Sequence, residues 1–487
     1  MRIKIVGALL IVTTACGVGA VTAGAVITTT PDGARIGYLP LNGETPSGHG
    51  GVAPIHATVP NEEGQPPLIY HGGPVMHSHT AYAIFWAPSG YSFPAGYTAA
   101  IETYLKDVAA DSHKSTNVYS VSAQYTDGTG RAAYSDSFGG SVADTHAYPT
   151  TGTCPLYSGA ESFTACISDE KLEKEVESVV AEQGWPSDLN SGYYVVLPPH
   201  AGSCFDKAGT VCFDKQFCAY HSYTIGTEAI YANISYSPGD PVGCGVGQYP
   251  NGTSNGKVDD TLSSLSHEAN ESITDPTLEA WYDVEGLENG DECRNTPFEE
   301  DYGAPLGGSA GTLFNQAIGD GHYYMQQEWS NDVEDCEQRI KAPVLQISGP
   351  GQLAPGQSGA FSAAGSIPGE DELVSFEWEF SDGGSASGLS VSHAFAVAGT
   401  YSITLTAEDE FGYLYSMTRQ ANVAVPGPEG GEASPISSNQ TSSSPGTTVI
   451  QGNGPKALKC RKGFRKGRKH GKPACVKIKA HRHHHHR

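Results

Sequence analysis

Tyr82-Ala-Ile-Phe-Trp86 and Tyr193-Tyr-Val-Val-Leu197 are the two apolar runs that decide the fold of this chain. Short continuous apolar runs are typical of strands that are buried on both faces of a sheet. Apolar residues at helical spacing follow the first run over residues 99–108, and a second helical pattern over residues 172–180 precedes the second run. With a further strand expected at residues 118–125, this alternation predicts a mixed α/β domain.

The pattern changes at residues 342–426, where apolar residues alternate with polar ones and glycine-rich turns separate the runs. The clearest examples are Phe376-Glu-Trp-Glu-Phe380 and Tyr401-Ser-Ile-Thr-Leu405. A period of two is typical of strands with one buried face. This part of the chain therefore predicts a small C-terminal β-sandwich, with Trp378 and Tyr401 in its core.

Composition and charge exclude several classes of protein. The 487 residues include 60 Gly and 31 Pro, and only 17% are charged, which favours a secreted protein rich in loops and strands over coiled coils or helical repeats. The net charge of −25 is unevenly distributed, because residues 456–487 hold 13 of the 28 Lys and Arg residues and no acidic residue. The strongly acidic remainder repels phosphates, so no nucleic-acid partner is expected for it.

The N-terminus has the features of a secretory signal, with basic residues before an apolar run and Ala23-Gly24-Ala25 as the cleavage site. Cys16 leaves lipid attachment as an alternative. No other segment is long and apolar enough for a transmembrane helix, and a secreted monomer is expected. The predicted parts of the chain are a signal peptide (1–25), an extended N-terminal lead (26–67), a main domain expected to be a metallohydrolase (68–341), the β-sandwich (342–426), a Gly/Ser/Pro linker (427–455) and a basic, Cys-containing tail (456–487).

Apart from Cys16 in the predicted signal peptide, the chain has ten cysteines. Because this number is even and the chain is expected to be exported, we expect them to form disulfides. Two of them, Cys460 and Cys475, lie in the tail. Pairing of neighbours in the main domain would join Cys154 with Cys166, Cys204 with Cys212, Cys218 with Cys244, and Cys293 with Cys336.

Residues 257–273 carry the clearest chemical pattern. Their apolar residues recur at three- and four-residue intervals and predict a helix with one buried stripe, capped by Asp259 or Asp260. His267 and Glu271 are four residues apart and project from one face, so they are predicted ligands of one zinc ion. Glu268 between them is the predicted catalytic base, as in the H-E-x-x-H pattern of zinc proteases.

A third metal ligand is expected from the acidic loop that follows the helix. Asp291 is the predicted ligand, and Glu288 and Asp283 remain alternatives. The same residues also allow two simpler interpretations: a polar helix face with a surface histidine, and a solvated turn or a loop that a structural Ca²⁺ ion stabilises.

The main domain resembles the EXORDIUM or phosphate-induced family over residues 68–336. The resemblance rests on Tyr70-His-Gly-Gly-Pro-Val75, the first apolar run, residues 212–221, Glu271-Ser-Ile-Thr-Asp-Pro276, Ala280-Trp-Tyr282, and Gln327-Glu-Trp-Ser-Asn331 with Cys336. It implies a secreted, wall-associated protein of a family whose plant members have no settled enzymatic activity. Bacterial relatives often carry H-E-x-x-E with a Gly-Asp-x-Cys loop, which implies a site at His267, Glu268, Glu271 and Asp291.

Residues 342–426 closely resemble the polycystic-kidney-disease (PKD) domain, through Phe376-Glu-Trp-Glu-Phe-Ser-Asp-Gly383, Val391-Ser-His-Ala-Phe395, Gly399-Thr-Tyr401 and Asp409-Glu-Phe-Gly412. This resemblance implies that the sandwich is an immunoglobulin-like β-sandwich and serves as an extracellular spacer or interaction module. The tail resembles short basic C-terminal motifs of exported actinobacterial proteins, and its charge would bind anionic polymers of the cell envelope.

Two functional hypotheses follow from these observations. The first is a zinc metalloprotease-like hydrolase, secreted and associated with the cell envelope, that acts on an extracellular protein or wall polymer. The second is a non-catalytic extracellular protein that binds the wall or matrix, in adhesion or polysaccharide binding.

Deletion of residues 456–487 should release the protein from cell envelopes, because the attraction of the tail to envelope polymers is electrostatic. Added salt should release the full chain in the same way. Fractionation of cells into envelope and medium measures both effects. Retention of the truncated protein at low salt would place the attachment elsewhere in the chain.

Overall fold

The computed structural model describes residues 27–29, 35–40, 67–132, 134–149, 163–205, 211–293, 302–425, 464–469 and 472–477. The predicted signal peptide, the linker 427–455 and Cys154 lie outside these residues. The tail is described only for residues 464–469 and 472–477, which pair as an antiparallel hairpin. Among the helices of the described ranges, none combines the length and the apolar character needed to cross a bilayer.

The described chain contains four α-helices and 24 strands. The helices are α1 Tyr97–Ala110, α2 Asp169–Gln183, α3 Val258–Thr274 and α4 Asn289–Glu292, with 3-10 helices at Val118–Gln124 and Ser237–Gly239. The strands are β1 Thr28–Thr29, β2 Arg35–Pro40, β3 Ile69–Tyr70, β4 His79–Trp86, β5 Asp136–Asp144, β6 Ala165–Ser168, β7 Ser191–Val196, β8 Ala201–Cys204, β9 Phe217–Tyr223, β10 Ile230–Ile234, β11 Trp281–Tyr282, β12 Gln316–Ile318, β13 Gly321–Tyr323, β14 Glu328–Ser330, β15 Asp335–Glu337, β16 Gln352–Leu353, β17 Ser358–Ser362, β18 Leu373–Phe380, β19 Ser385–Ser387, β20 Ser390–Ala394, β21 Gly399–Asp409, β22 Leu414–Val423, β23 Phe464–Lys469 and β24 Lys472–Lys477.

A seven-stranded sheet forms the centre of the main domain, in the order β1-β2-β9-β10-β7-β4-β5. The four strands β10, β7, β4 and β5 are parallel, and β9, β2 and β1 continue the sheet antiparallel. The two apolar runs are the neighbouring strands β4 and β7, with Tyr82 opposite Tyr193. The predicted mixed α/β fold is therefore confirmed, since parallel strands buried on both faces have continuous apolar sequences.

Helices α1 and α2 are where the apolar spacing predicts them. In α2 the residues Leu172, Val176 and Val179 face the core, and the helix ends at Gly184. This glycine has a φ of 64°, a left-handed conformation that residues with a Cβ adopt only under strain.

Two parts of the sequence prediction are wrong. Residues 118–124 form a 3-10 helix rather than a strand, and Asn117 begins it by accepting a hydrogen bond from the Tyr119 backbone N–H at 3.1 Å. Ordered structure also begins before residue 68, because β2 pairs with β9 and buries Ile36, Tyr38 and Leu39. A short apolar segment flanked by glycine gives no periodic signal of its own, so its pairing depends on the partner strand.

Helix α3 differs from its prediction in burial and capping. Every one of its 17 residues is buried, so the surface-histidine interpretation is wrong and the core surrounds the helix. Lys257 is the N-terminal flanking residue, and Asp259 and Asp260 lie in the first turn instead. Asp260 accepts a hydrogen bond from the Val246 backbone N–H at 2.8 Å. Both acidic residues also interact favourably with the positive end of the helix dipole.

The structure confirms three of the four predicted disulfides of the main domain. They join Cys204 with Cys212, Cys218 with Cys244, and Cys293 with Cys336. The last connects the end of α4 to β15, across a stretch of 43 residues. The pairing of Cys154 with Cys166 involves a residue outside the described ranges.

The C-terminal β-sandwich packs a five-stranded sheet, β16-β22-β21-β18-β19, against the pair β17-β20. Trp378 is fully buried in its core and donates from Nε1 to the Gly388 carbonyl at 2.9 Å, while Tyr401 is half-buried at its edge. The sandwich also contacts the main domain. Tyr413, only 2% exposed, enters the main-domain core and donates from its hydroxyl to the Ser120 carbonyl at 2.8 Å.

Substitution Tyr413→Ala should lower the thermal unfolding midpoint strongly, because removal of a buried aromatic ring costs about 3–5 kcal/mol. Tyr413→Phe keeps the ring and loses one hydrogen bond, worth about 1 kcal/mol, so its midpoint should fall only slightly. Scanning calorimetry measures the midpoints. The matched control is Leu414→Ala, since Leu414 is 54% exposed. Equal midpoints for Tyr413→Ala and Leu414→Ala would contradict this packing.

Candidate metal centre

Helix α3 supplies the first part of the candidate site. His267 and Glu271 lie on one face, one turn apart, and His267 Nε2 is 2.9 Å from Glu271 Oε1. Glu268 is the next residue after His267, and its Oε2 is 3.2 Å from Nδ1 of His221 on β9. The structure therefore brings the three predicted helix residues into one cluster, together with a histidine from the sheet.

Helix α4 and the residue before it, Glu288, supply the second part. Asp291 Oδ1 is 3.6 Å from His267 Nε2, and the Asp291 backbone N–H donates to Glu271 Oε1 at 3.2 Å. Glu288 Oε1 is 3.6 Å from His221 Nε2. Asp291, the predicted third ligand, and Glu288, one of its two alternatives, therefore both lie beside the cluster residues of α3.

Asp283, the other alternative, has a different role. Its Oδ1 accepts hydrogen bonds from the backbone N–H groups of Glu285 and Leu287, at 2.7 and 2.8 Å. These bonds close the turn that leads into α4. Asp283 thus shapes the loop that carries Glu288.

Sequence reasoning did not assign two members of the cluster, His221 and Glu328. His221 lies 47 residues before Glu268, and Glu328 begins β14, where its Oε2 accepts a hydrogen bond from Asn289 Nδ2 at 2.9 Å. Both residues fall in segments that carry the EXORDIUM resemblance, which was the one signal for them. We define the α3 cluster as His221, His267, Glu268, Glu271, Glu288, Asp291 and Glu328.

The α3 cluster is dry. Six of its side chains have no exposed surface, and Asp291 is 1% exposed. Many of its polar atoms nevertheless make no hydrogen bond within the protein. They are His221 Nε2, His267 Nδ1, Glu268 Oε1, Glu271 Oε2, Asp291 Oδ1 and Glu328 Oε1. Such atoms are costly to bury, so this arrangement favours a bound cation.

Burial and neighbouring charges shift the pKa values in the cluster. Burial raises the pKa of Glu271, but the imidazoles of His267 and His221 reverse this effect and lower it to about 2. Burial and the charge of Glu271 raise the pKa of Asp291 to about 8. Burial likewise holds the pKa of Glu288 well above its usual value, against the attraction of His221. Without a cation, some of these carboxyls would therefore hold protons at neutral pH.

Two glycines allow the backbone to approach the cluster closely. A Cβ at Gly37, on β2, would collide with Glu288 and His221, and a Cβ at Gly290 would collide with His267 and Glu271. Both positions require glycine for this close approach. Strand β2 therefore covers the cluster directly.

The donor chemistry fits a divalent transition metal. Two groups of three side chains bring ligand atoms within 4.8 Å of one another: His267 with Glu268 and Glu271, and His221 with Glu271 and Glu288. Imidazole nitrogen with carboxylate oxygen suits zinc and similar metals, whereas Ca²⁺ prefers oxygen ligands alone. The assignments of metal ligands and of a catalytic base stay predictions.

A separate group with metal-binding residue types lies at the surface, formed by Asp144, His146 and Glu175. His146 Nδ1 is 2.6 Å from Glu175 Oε1 and 3.1 Å from Asp144 Oδ1. His146 is nearly half exposed, so water can solvate this group.

Comparison with known proteins identifies the C-terminal β-sandwich. The family model of the PKD domain matches residues 340–425, so the chain carries a PKD domain there. The chain is also similar to Protein EXORDIUM-like 5 of Arabidopsis thaliana, with 25% identity over 309 residues that cover 55% of this chain and 77% of the plant protein. This distant relationship supports the EXORDIUM resemblance. The bacterial H-E-x-x-E branch and the actinobacterial type of tail stay predictions.

Several solved structures are similar to parts of the chain. The PKD1 domain of Vibrio anguillarum Epp is 31% identical, covers 18% of this chain and 100% of that chain, and has a TM-score of 0.16. The PKD1 domain of the Vibrio cholerae metalloprotease PrtV is 26% identical over 17% of this chain and 96% of that chain, with a TM-score of 0.15. OgpA from Akkermansia muciniphila is 10% identical; the match covers 72% of this chain and 95% of OgpA, with a TM-score of 0.20. TM-scores this low support no conclusion about fold or function.

The metal-free protein should lose stability as the pH rises from 5 to 8. Asp291 has an ordinary pKa of 3.8 and a folded pKa of about 8, so the folded state holds a proton that the unfolded state has released. This contribution is complete below pH 4 and is lost as the pH rises through about 8. Glu271, with a pKa of about 2, titrates outside this range.

Thermal unfolding across this pH range, after chelation and again with added Zn²⁺, measures the effect. Bound metal displaces the protons, so Zn²⁺ should flatten the pH dependence. Asp291→Asn removes one of the shifted carboxyls and should reduce the slope of the metal-free protein. A midpoint that rises with pH in the metal-free protein would contradict the shifted pKa of Asp291.

Proposed function

We propose that the chain is a secreted, envelope-associated hydrolase whose main domain holds zinc through His267, Glu271 and Asp291. The observation that carries this proposal is the set of buried donor atoms without hydrogen bonds around α3. A carboxylate ligand beside a histidine one helical turn away is a workable zinc pair. The third proposed ligand is Asp291 of α4, whose Oδ1 is 3.6 Å from His267 Nε2.

Glu268 is the proposed general base. A zinc ion in this site would act as a Lewis acid that polarises a peptide carbonyl. Glu268 Oε1 makes no hydrogen bond and is free to accept a proton from the attacking water, while Oε2 is oriented by His221. Burial raises the pKa of Glu268, which brings it closer to the neutral range in which a general base is effective.

Access is the main requirement of this proposal. Because β2 covers the cluster, a polymer substrate could reach Glu268 only after β2 moves away. Among the strands of the described residues, β1 alone lies beyond β2 in the sheet, so this movement would leave the parallel strands intact. It would expose Ile36, Tyr38 and Leu39, which are buried against the main domain.

The complete burial of the cluster also favours a second candidate, a non-catalytic extracellular protein with a structural metal ion. PKD domains are common extracellular binding modules, and three disulfides are consistent with an oxidising environment. In this candidate the chain binds a wall or matrix polymer. In both candidates the basic tail, with 13 Lys and Arg residues, associates with anionic envelope polymers.

Substitution Glu268→Gln should abolish hydrolysis and leave the metal bound, because it removes the base and keeps a side chain of the same size. General bases contribute about 10²–10⁴-fold to a rate, so a loss of at least about 100-fold is expected in cleavage of a panel of extracellular proteins. His267→Ala should lose both the metal and the activity.

The matched control is His322→Ala, which removes an exposed histidine that stacks on Phe314 outside the cluster. It should keep both metal and activity. Wild-type protein that holds zinc but cleaves no substrate, even after removal of residues 27–40, would exclude the hydrolase and favour the binding protein.

A further inference from the structure

Glu271 lies between the two histidines of the α3 cluster. Its Oε1 is 2.9 Å from His267 Nε2, and its Oε2 is 3.6 Å from His221 Nδ1. One carboxylate thus presents a different oxygen to each imidazole. This is the arrangement expected of a carboxylate that bridges two cations.

Each histidine has a further acidic partner of its own. Asp291 Oδ1 lies 3.6 Å from His267 Nε2, on one side of Glu271. Glu288 Oε1 lies 3.6 Å from His221 Nε2, on the other side. The donors therefore divide into two sets that share Glu271.

We propose that the α3 cluster binds two divalent first-row transition-metal ions that share Glu271. One ion is held by His267 and Asp291, and the other by His221 and Glu288. The first ion is the one in the proposed function, on which this inference builds; the second ion and its ligands are additional.

A single ion leaves the second set unsatisfied. With metal on His267, Glu271 and Asp291 alone, His221 Nε2 and the Glu288 carboxylate would face each other across 3.6 Å with no cation beside them. Both side chains are buried without access to water. The charge of a carboxylate buried beside a neutral imidazole is not compensated, and a second cation would compensate it.

The charge of the whole cluster also favours two metal ions over one. Five carboxyl groups surround two imidazoles, so the cluster has three more acidic groups than basic groups. With neutral imidazoles, which metal binding requires, and with all five carboxyl groups ionised, the cluster would carry five negative charges. One divalent ion leaves three of these uncompensated, whereas two leave one.

The metal class follows from the donors. Each set contributes one imidazole nitrogen with carboxylate oxygens, a mixture that suits Zn²⁺, Mn²⁺ or Fe²⁺ and is unlike the oxygen-only sites of Ca²⁺. Pairs of such ions bridged by a carboxylate occur in hydrolases of peptide and phosphate esters. The second ion therefore fits the same class of reaction as the first.

Elemental analysis after dialysis against Zn²⁺ tests the inference. The protein is the full chain in which the histidines of residues 481–486 are replaced by asparagine, because these would bind zinc themselves. We expect two zinc ions per chain. His221→Asn and Glu288→Gln should each retain one ion, and Glu271→Gln should lose both.

Two controls locate the second ion. His146→Asn disables the surface group of Asp144 and Glu175 and should still hold two ions, as should His322→Asn. A fall to one ion in His146→Asn would overturn the inference by placing the second ion at the surface. If the protein with an unsubstituted α3 cluster binds one ion, and His221→Asn binds the same amount, the two-ion inference is wrong and the proposed function still stands. If the protein binds no ion, both the inference and the proposed function are wrong.

A spectroscopic measurement tests the same inference without any substitution in the cluster, so it does not depend on whether the variants fold. Two Mn²⁺ ions bridged by one carboxylate are magnetically coupled, so electron paramagnetic resonance of the Mn²⁺-loaded chain should give a multiline spectrum of a coupled pair. The six-line spectrum of isolated Mn²⁺ at full loading would overturn the shared site.

Discussion

The exclusion of water from the acidic groups around α3 is the constraint on which the rest of the structure depends. Each ionised carboxylate taken out of water costs several kcal/mol unless a charge or a hydrogen bond compensates it. The α3 cluster contains five carboxyl groups, two of them on a helix that is buried on every side. The core can close around α3 only because protons or cations neutralise this charge. The stability of the main domain and the chemistry of its site are therefore two aspects of one electrostatic balance.

The surrounding elements keep the cluster dry and its members close. Strand β9 carries His221, α4 and its preceding loop carry Asp291 and Glu288, and the disulfide between Cys293 and Cys336 ties the end of α4 to β15. Gly37 and Gly290 let two backbone segments approach where any side chain would collide with the cluster. Each of these distant segments is held in place by the sheet, by a disulfide or by close packing.

The PKD domain is part of this assembly rather than a loosely tethered spacer. Tyr413 enters the core of the main domain and bonds to the carbonyl of Ser120, within the 3-10 helix that packs near α3. Ser122 of the same 3-10 helix donates a hydrogen bond to Asn270 of α3 at 3.0 Å. The orientation of the β-sandwich is thus linked through two short contacts to the helix that carries the candidate site. A binding module in this place would present the main domain to a surface in a defined way.

The sequence by itself determined the elements whose patterns are local: β4 and β7 as continuous apolar runs, α1, α2 and α3 by helical spacing, and the PKD sandwich by alternation. It also placed His267, Glu268 and Glu271 together, since residues one turn apart share a helix face. Only the tertiary structure decided that His221, Glu288 and Glu328 join them, that β2 covers them, and that α3 is buried on all sides. Residues 118–124 were mistaken for a strand because a short apolar run has no distinctive period. The physical reason is the same throughout: spacing along the chain fixes neighbours within an element, whereas packing between elements brings distant charges into one dry site.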